Sequence, residues 1–180
     1  MSQINRRSLL YAFGIASVTP LLSAETTNPR SAVVAKPGES RYKFTHPKMS
    51  PVCMVTGQDT GGTISMFEFK IAPRQGPPRH VHHREDETYY VLTGEFLFEV
   101  GGTRYTLRPG ATIFAPRDVP HCWANSSDAE AKIMMACTPG GFEEFFEETA
   151  KAMMDKAEPA QMNQIMAKWG CEPTGPPLFA

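Results

Sequence analysis

The chain contains no block of lysine or arginine, no CxxC pair, no internal repeat and no low-complexity tract. Each absence removes a class. Without a basic block, and with a formal net charge of −1, the chain has no electrostatic footprint for nucleic acid. The four cysteines (Cys53, Cys122, Cys137 and Cys171) are too scattered for a structural zinc site. Their expected state is the buried thiol, and spacing fixes no disulfide pairing. After residue 24 no apolar run reaches the length of a membrane span, so none is expected in the processed chain.

What is present fits one domain. A length of 180 residues supports a single core, and 41% hydrophobic with 21% charged residues is a soluble globular composition. Sixteen prolines and fourteen glycines imply many turns, which favours a β-rich chain over a helix bundle. Residues 1–24 stand apart. Arg6 and Arg7 precede an apolar run from Leu9 to Leu22, closed by the small residues Ser23 and Ala24. That is the order of an export signal. The stretch NRRSLLY resembles a twin-arginine signal through Arg6, Arg7 and Leu10; ordinary secretion stays open, because Asn5, Leu9 and Tyr11 depart from the pattern. The expected location is therefore outside the cytoplasm, periplasmic or secreted. Loss of the signal leaves sixteen basic residues against nineteen acids, a charge of about −3.

Residues 25–50 are polar, dotted with proline and without sustained periodicity, and read as a loose leader or an arm lying along the domain. His46 falls there and is expected to be structural or exposed. From Val52 to Pro139 short β-type runs alternate with turn signals. In TISMFEFKIA the apolar residues Ile64 and Met66 hold one phase, and Phe67, Phe69 and Ile71 the other. TYYVLTG and EFLFEV are rich in aromatic and branched residues. Gly101-Gly102 joins EFLFEV to TRYTL as a two-glycine hairpin turn. ATIFAP and AKIMMAC supply two more strands. Turns recur about every 8–12 residues, as in an all-β sandwich or barrel.

The tail is helical. Phe142, Phe145, Phe146, Thr149, Ala150, Met153 and Met154 form an apolar stripe, with Glu143, Glu144, Glu147 and Glu148 on the other face. Pro159 interrupts it. Met162, Ile165, Met166 and Trp169 make a second stripe, closed by Gly170. At this spacing the methionines are expected to pack against the barrel rather than to bind copper.

The densest set of metal-capable side chains is RHVHHREDETYY, residues 79–90. In a strand, residues two apart project to one side, so His80 and His82 share a face and His83 points away. Parity does not choose among Glu85, Asp86 and Glu87, because HREDE is expected to bend and reset the phase. Tyr89 lies two after Glu87; it either offers a hydroxyl to a bound substrate or is an aromatic core residue. Cys122 precedes Trp123 and follows His121, and so faces away from His121 in a regular strand. Arg79 and Asn125 are candidates to orient ligands, Asn125 more often completing a turn.

His80, His82, Glu87 and Gly94 stand at the spacing of the first cupin motif: two histidines one residue apart, then a glutamate and a glycine. The leading glycine of that motif falls at position 74, where this chain has Arg74; Gly76 is the nearest glycine. Gly110, Pro116, His121 and Asn125 match the second motif, with Asp118 in place of a glycine. The chain thus resembles the cupin superfamily, and the two motifs cover residues 76–125. The resemblance implies an all-β fold, a cupin-type antiparallel β-barrel (jelly roll), here with a short C-terminal helical extension. The expected organisation is a signal over 1–24, an arm over 25–50, the barrel over 51–140 and the extension over 141–180.

The resemblance also implies that His80, His82, Glu87 and His121 hold a metal inside the barrel. Three neutral imidazoles and one carboxylate suit a divalent first-row ion and leave one or two positions open. Affinity order alone leaves Mn, Fe, Ni, Cu and Zn as candidates. Single-barrel members similar to this layout include the quercetinase-like dioxygenases. By that likeness a small enolic or phenolic substrate binds the metal, Glu87 is both ligand and general base, and dioxygen attacks the activated carbon. Two rival readings remain: a redox-neutral cyclase or isomerase using the same metal, and a ligand-binding cupin without catalysis. A homodimer is expected, since a single barrel exposes sheet edges.

Overall fold

The computed structural model describes residues 31–42 and 50–179. The expected signal over 1–24 and His46 lie outside them. Among the described residues no helix is long and apolar enough to cross a membrane.

Among the described residues ten strands form two five-stranded antiparallel sheets, nine of them from the β-rich segment and its start at Ser50. The first sheet contains β1 (Ser50–Val55), β2 (Ser65–Ile71), β9 (Ala131–Thr138), β4 (Asp86–Thr93) and β7 (Thr112–Ala115), in that spatial order. The second contains β10 (Cys171–Pro173), β3 (His80–His82), β8 (His121–Asn125), β5 (Phe96–Val100) and β6 (Thr103–Leu107). Between β5 and β6 the turn is Gly101-Gly102, at φ 57° and 80°, the positive pair that a two-residue hairpin needs. The inner faces of the sheets supply one core: Phe67, Phe69, Tyr89 and Val91 from the first, Phe96, Phe98 and Trp123 from the second. This is the cupin-type jelly roll expected from the motifs, with a small helical extension.

The phase change read in β2 is absent. Ser65, Phe67, Phe69 and Ile71 all point inward and Met66 does not. A polar residue at the head of an apolar face hid the continuity. The Ser65 hydroxyl is satisfied by donating to Glu143 Oε2 at 2.6 Å.

That contact also corrects the tail. In α2 (Glu143–Met154) Phe146, Thr149 and Ala150 are buried as expected, but Glu143 is buried with them. Met154 is 64% exposed. The stripe is therefore rotated toward the helix N-terminus, where it meets the barrel. α3 (Pro159–Lys168) starts on its proline and ends before Gly170 at φ 70°. No α3 side chain is fully buried. Met162 and Met166 line a cavity instead of packing flush against the barrel. β10 follows and was not foreseen. It is three residues long and includes a proline, which suits an edge strand and carries little local signal.

The described end of the arm is tied down. Arg41 donates its backbone N–H to the Cys53 carbonyl at 2.8 Å, and Cys53 donates its own to Ser40 Oγ at 3.0 Å. Arg41 also pairs with Asp59, which closes the capping box of the short helix α1 (Gly57–Thr60) with Thr56.

Candidate metal centre

β3 is only three residues long, yet all three side chains are buried. It is held between β10, through Cys171 opposite His82, and β8, through His80 opposite His121. This register brings two histidines of one strand beside the histidine of the next. Ring centroids lie 4.8 Å apart for His80 and His82, 4.6 Å for His80 and His121, and 5.7 Å for His82 and His121. The approach of the preceding loop is close: a Cβ on Gly76 would meet the Trp123 carbonyl at 1.9 Å, so only glycine fits there.

The carboxylate comes from the facing sheet. Residues 83–85 form the bend after β3, and β4 restarts the alternation at Asp86. Glu87 then points inward in phase with Tyr89 and Val91, opposite Ala115 on β7 and Cys137 on β9. Asp86 points outward into a two-pronged contact with Arg117 at 2.7 and 3.1 Å. Donor atoms of His80, His82, Glu87 and His121 all lie within 4.8 Å of one another, and all four residues are buried.

The orientation of the rings suits a cation. His80 Nδ1 lies 2.7 Å from the Pro78 carbonyl and His121 Nδ1 lies 3.0 Å from the Val119 carbonyl. A carbonyl only accepts, so both Nδ1 atoms carry hydrogen and both rings turn Nε2 toward the cluster. Glu87 sits 2.9 Å from His121 Nε2 and 3.6 Å from His82 Nε2. His82 Nδ1 and Glu85 Oε2 are buried without a hydrogen-bond partner and face each other at 3.6 Å. A buried set of three imidazoles and one carboxylate, with converging ligand atoms, is suited to hold a divalent ion.

Electrostatics follow from the crowding. Burial and then the neighbouring His82 and His121 push His80 down to about 3, which keeps it neutral and ligand-ready. Burial alone would raise Glu87, but His82, His121 and His80 outweigh it and hold the carboxyl well below its ordinary range. Burial lowers His121, and its contact with Glu87 more than reverses that, so it ends above its ordinary value. Tyr89, buried and donating to Glu87 Oε2 at 2.5 Å, is pushed well above the usual phenol.

The remaining candidates divide. His83 points away, pairing with Asp118 at 2.7 Å on the surface. Arg79 does not orient a ligand: it reaches Glu99 at 3.1 Å on the outer side of the second sheet. Asn125 completes a turn, donating to the Ile71 and Ala129 carbonyls and accepting from the Ser127 N–H. All four cysteines are free and buried, and burial foremost raises each thiol. Two of the neighbours, Cys137 and Phe142, escaped sequence reasoning, and Glu85 was one of three acids that parity left open. Cys137 Sγ lies 3.8 Å from Glu87 Oε1, Glu85 reaches back beneath His82, and the Phe142 ring lies edge-on to His82 at 5.0 Å. The first depends on strand pairing and the last on helix docking, neither of which local spacing encodes.

The cluster opens into a cavity of about 490 Å³, within the range of small-molecule sites. Phe69, Trp123 and Met135 of the barrel line it together with Phe142, Phe146 and Met162 of the extension.

The jelly roll thus carries a buried cluster of three histidines and a glutamate, suitable for a metal ion, at the foot of a largely apolar cavity. Comparison with known proteins agrees at the level of the domain. Residues 67–137, which include all four cluster residues, match the family described as Cupin domain. The chain is 30% identical over 82 residues to Protein SchB of Streptomyces halstedii, covering 44% of this chain and 59% of that protein. It spans about half the length of the curated relatives it matches. Among solved structures it is similar to a "predicted oxalate decarboxylase" from Thermotoga maritima, with TM-score 0.53 and 17% identity over 60% of this chain and 99% of that one. It is similar too to an RmlC-like cupin from Shewanella frigidimarina, with TM-score 0.51 and 16% identity over 62% and 94%. At these identities the solved structures show the fold alone.

Proposed function

We propose that the protein is a metal-dependent cupin enzyme in which His80, His82, Glu87 and His121 hold one divalent first-row ion. We propose further that it is a dioxygenase acting on a small enolic or phenolic substrate. The observation that carries this reading is the convergence of four donors within 4.8 Å at the foot of an apolar, aromatic cavity. When bound, such an ion acts as a Lewis acid with coordination positions left open.

The chain's own residues supply the rest. The Phe and Met walls exclude water and receive an aromatic ring. Glu87, ionised at neutral pH, accepts the hydroxyl proton of the substrate, and the Tyr89 phenol fixes the carboxylate by its bond to Oε2. The test is elemental analysis of the native protein paired with an oxygen electrode and a panel of flavonols and 1,3-dicarbonyls. We expect a stoichiometric metal and oxygen uptake. Turnover without uptake would give the site to a redox-neutral cyclase or isomerase. Metal-free protein indifferent to added ions would end the enzymatic reading.

Export and a homodimeric state belong to the same proposal. Phe114 on the edge strand β7 and Tyr105 on the edge strand β6 are exposed, and a second copy covering either would blunt a free edge. Sizing of the mature protein checks this.

A further inference from the structure

Arg74 occupies the place of a motif glycine, and the backbone there takes φ 60°, the left-handed region that favours glycine. The turn is pinned in that shape. Arg74 donates its N–H to the Asn125 carbonyl at 2.9 Å, and Asn125 donates to the Gln75 carbonyl at 3.0 Å. The loop is thereby fixed to β8, the strand that carries His121. An arginine kept in a conformation better suited to glycine points to a use for its side chain.

That side chain lines the same cavity as the metal cluster and is the one lysine or arginine among its described lining residues. Its guanidinium lies 4.9 Å over the Phe179 ring, which helps wall the cavity. Its ion-pair partner is Asp128 at 3.5 Å, with a side chain 99% exposed. Such a screened pair is readily exchanged for another carboxylate. Phe142, Phe145, Met162 and Met166 line the same chamber, so the guanidinium and the histidine cluster share a largely apolar cavity.

We propose that Arg74 is a specificity-determining residue: the cavity selects a small aromatic acid, with its ring among Phe142, Phe145, Met162 and Met166 and its carboxylate on the Arg74 guanidinium. The planar fork suits a carboxylate in a way that a point charge does not. This rests on the cavity being the substrate site and deepens that reading by naming the charge the substrate carries.

The test uses 2-naphthoate and its neutral analogue 2-naphthamide, titrated by calorimetry into the whole protein. Both chelator-treated and manganese-supplemented samples are measured. We expect the acid to bind about tenfold more tightly than the amide in both samples. R74M removes the preference and leaves the amide unchanged, and R74K keeps part of it. R74G, which relieves the backbone, raises the thermal midpoint by about 2–4 °C. The proposal is overturned by equal affinities in the wild type or by no binding of either compound. It is overturned too by a preference that survives in R74M, since the carboxylate then sits on the histidine cluster. A fall in the R74G midpoint, showing that Arg74 is kept to pack Phe179, also overturns it. An Arg74-dependent preference without oxygen uptake on any substrate would sink the dioxygenase reading alone. Uptake with no acid preference would sink this one alone.

Discussion

Phe142 and Glu143 are neighbours at the start of α2 and serve two different regions. The Phe142 ring turns to His82 of the histidine cluster. The Glu143 carboxylate turns to the joint between helix and barrel, accepting from the Gly57 N–H at 2.8 Å and the Ser65 hydroxyl at 2.6 Å. Ser65 in turn accepts from the Gly141 N–H at 2.8 Å. Both regions bury a glutamate, Glu87 at 2% exposure and Glu143 at 4%. At the joint, the carboxylate is met by a backbone amide and a hydroxyl, donors that hold one arrangement. At the cluster, it accepts from the Tyr89 hydroxyl on one oxygen and is crowded by imidazoles, with His82 Nδ1 and Glu85 Oε2 left over. Donors that satisfy a carboxylate fix structure, whereas groups that compete around it leave room for a cation.

The sharpest way to break this comparison is to remove one member from each region. His121→Ala should lower metal affinity by more than the roughly 100-fold that loss of an outer partner causes. The metal-free protein should still unfold cooperatively. Metal content by mass spectrometry and the thermal midpoint of the chelated protein check both halves.

Glu143→Ala should do the reverse. It strands the Gly57 N–H and the Ser65 hydroxyl, and should cost about 2–3 kcal/mol, or roughly 4–12 °C in midpoint. Metal bound per folded molecule should stay unchanged. A stable Glu143→Ala protein, or one that folds well but has lost its metal, would erase the distinction between the regions.

A smaller effect sharpens the contrast with surface carboxylates. The Arg41 side chain and the Thr56 N–H hold Asp59 down from 3.8 to about 2, and Arg117 does the same for Asp86. A carboxyl depressed on folding stabilises fully above its unfolded value and loses that contribution as pH falls through the folded one. Stability should therefore decline between about pH 3.8 and pH 2. Both arginines are exposed, so solvent screening keeps the effect of each pair small. Urea titrations across that window, with Asp59→Asn and Asp86→Asn flattening the profile, provide the measurement.

Much of the site was legible because its pieces are local. Parity alone put His80 and His82 on one side and His83 on the other, and motif spacing singled out Glu87 and His121. Parity could not choose among Glu85, Asp86 and Glu87, since the bend at 83–85 separates two strands in different sheets. Arg79 was misjudged because its direction depends on which face of the second sheet is outside. The methionine stripe of α3 was legible as a stripe, but its neighbour turned out to be a cavity.

The sequence by itself determined the elements: period-two runs, the Gly101-Gly102 turn, the helical stripes and the paired histidines, all set within a few residues by backbone sterics and side-chain alternation. Only the tertiary structure decided the partnerships. Glu87 meets His121 across 34 positions, Ser65 meets Glu143 across 78, and Gly57 meets Glu143 across 86. Contacts of that reach are fixed by strand register and helix docking, where burial of the whole core selects one pairing and local spacing has no say.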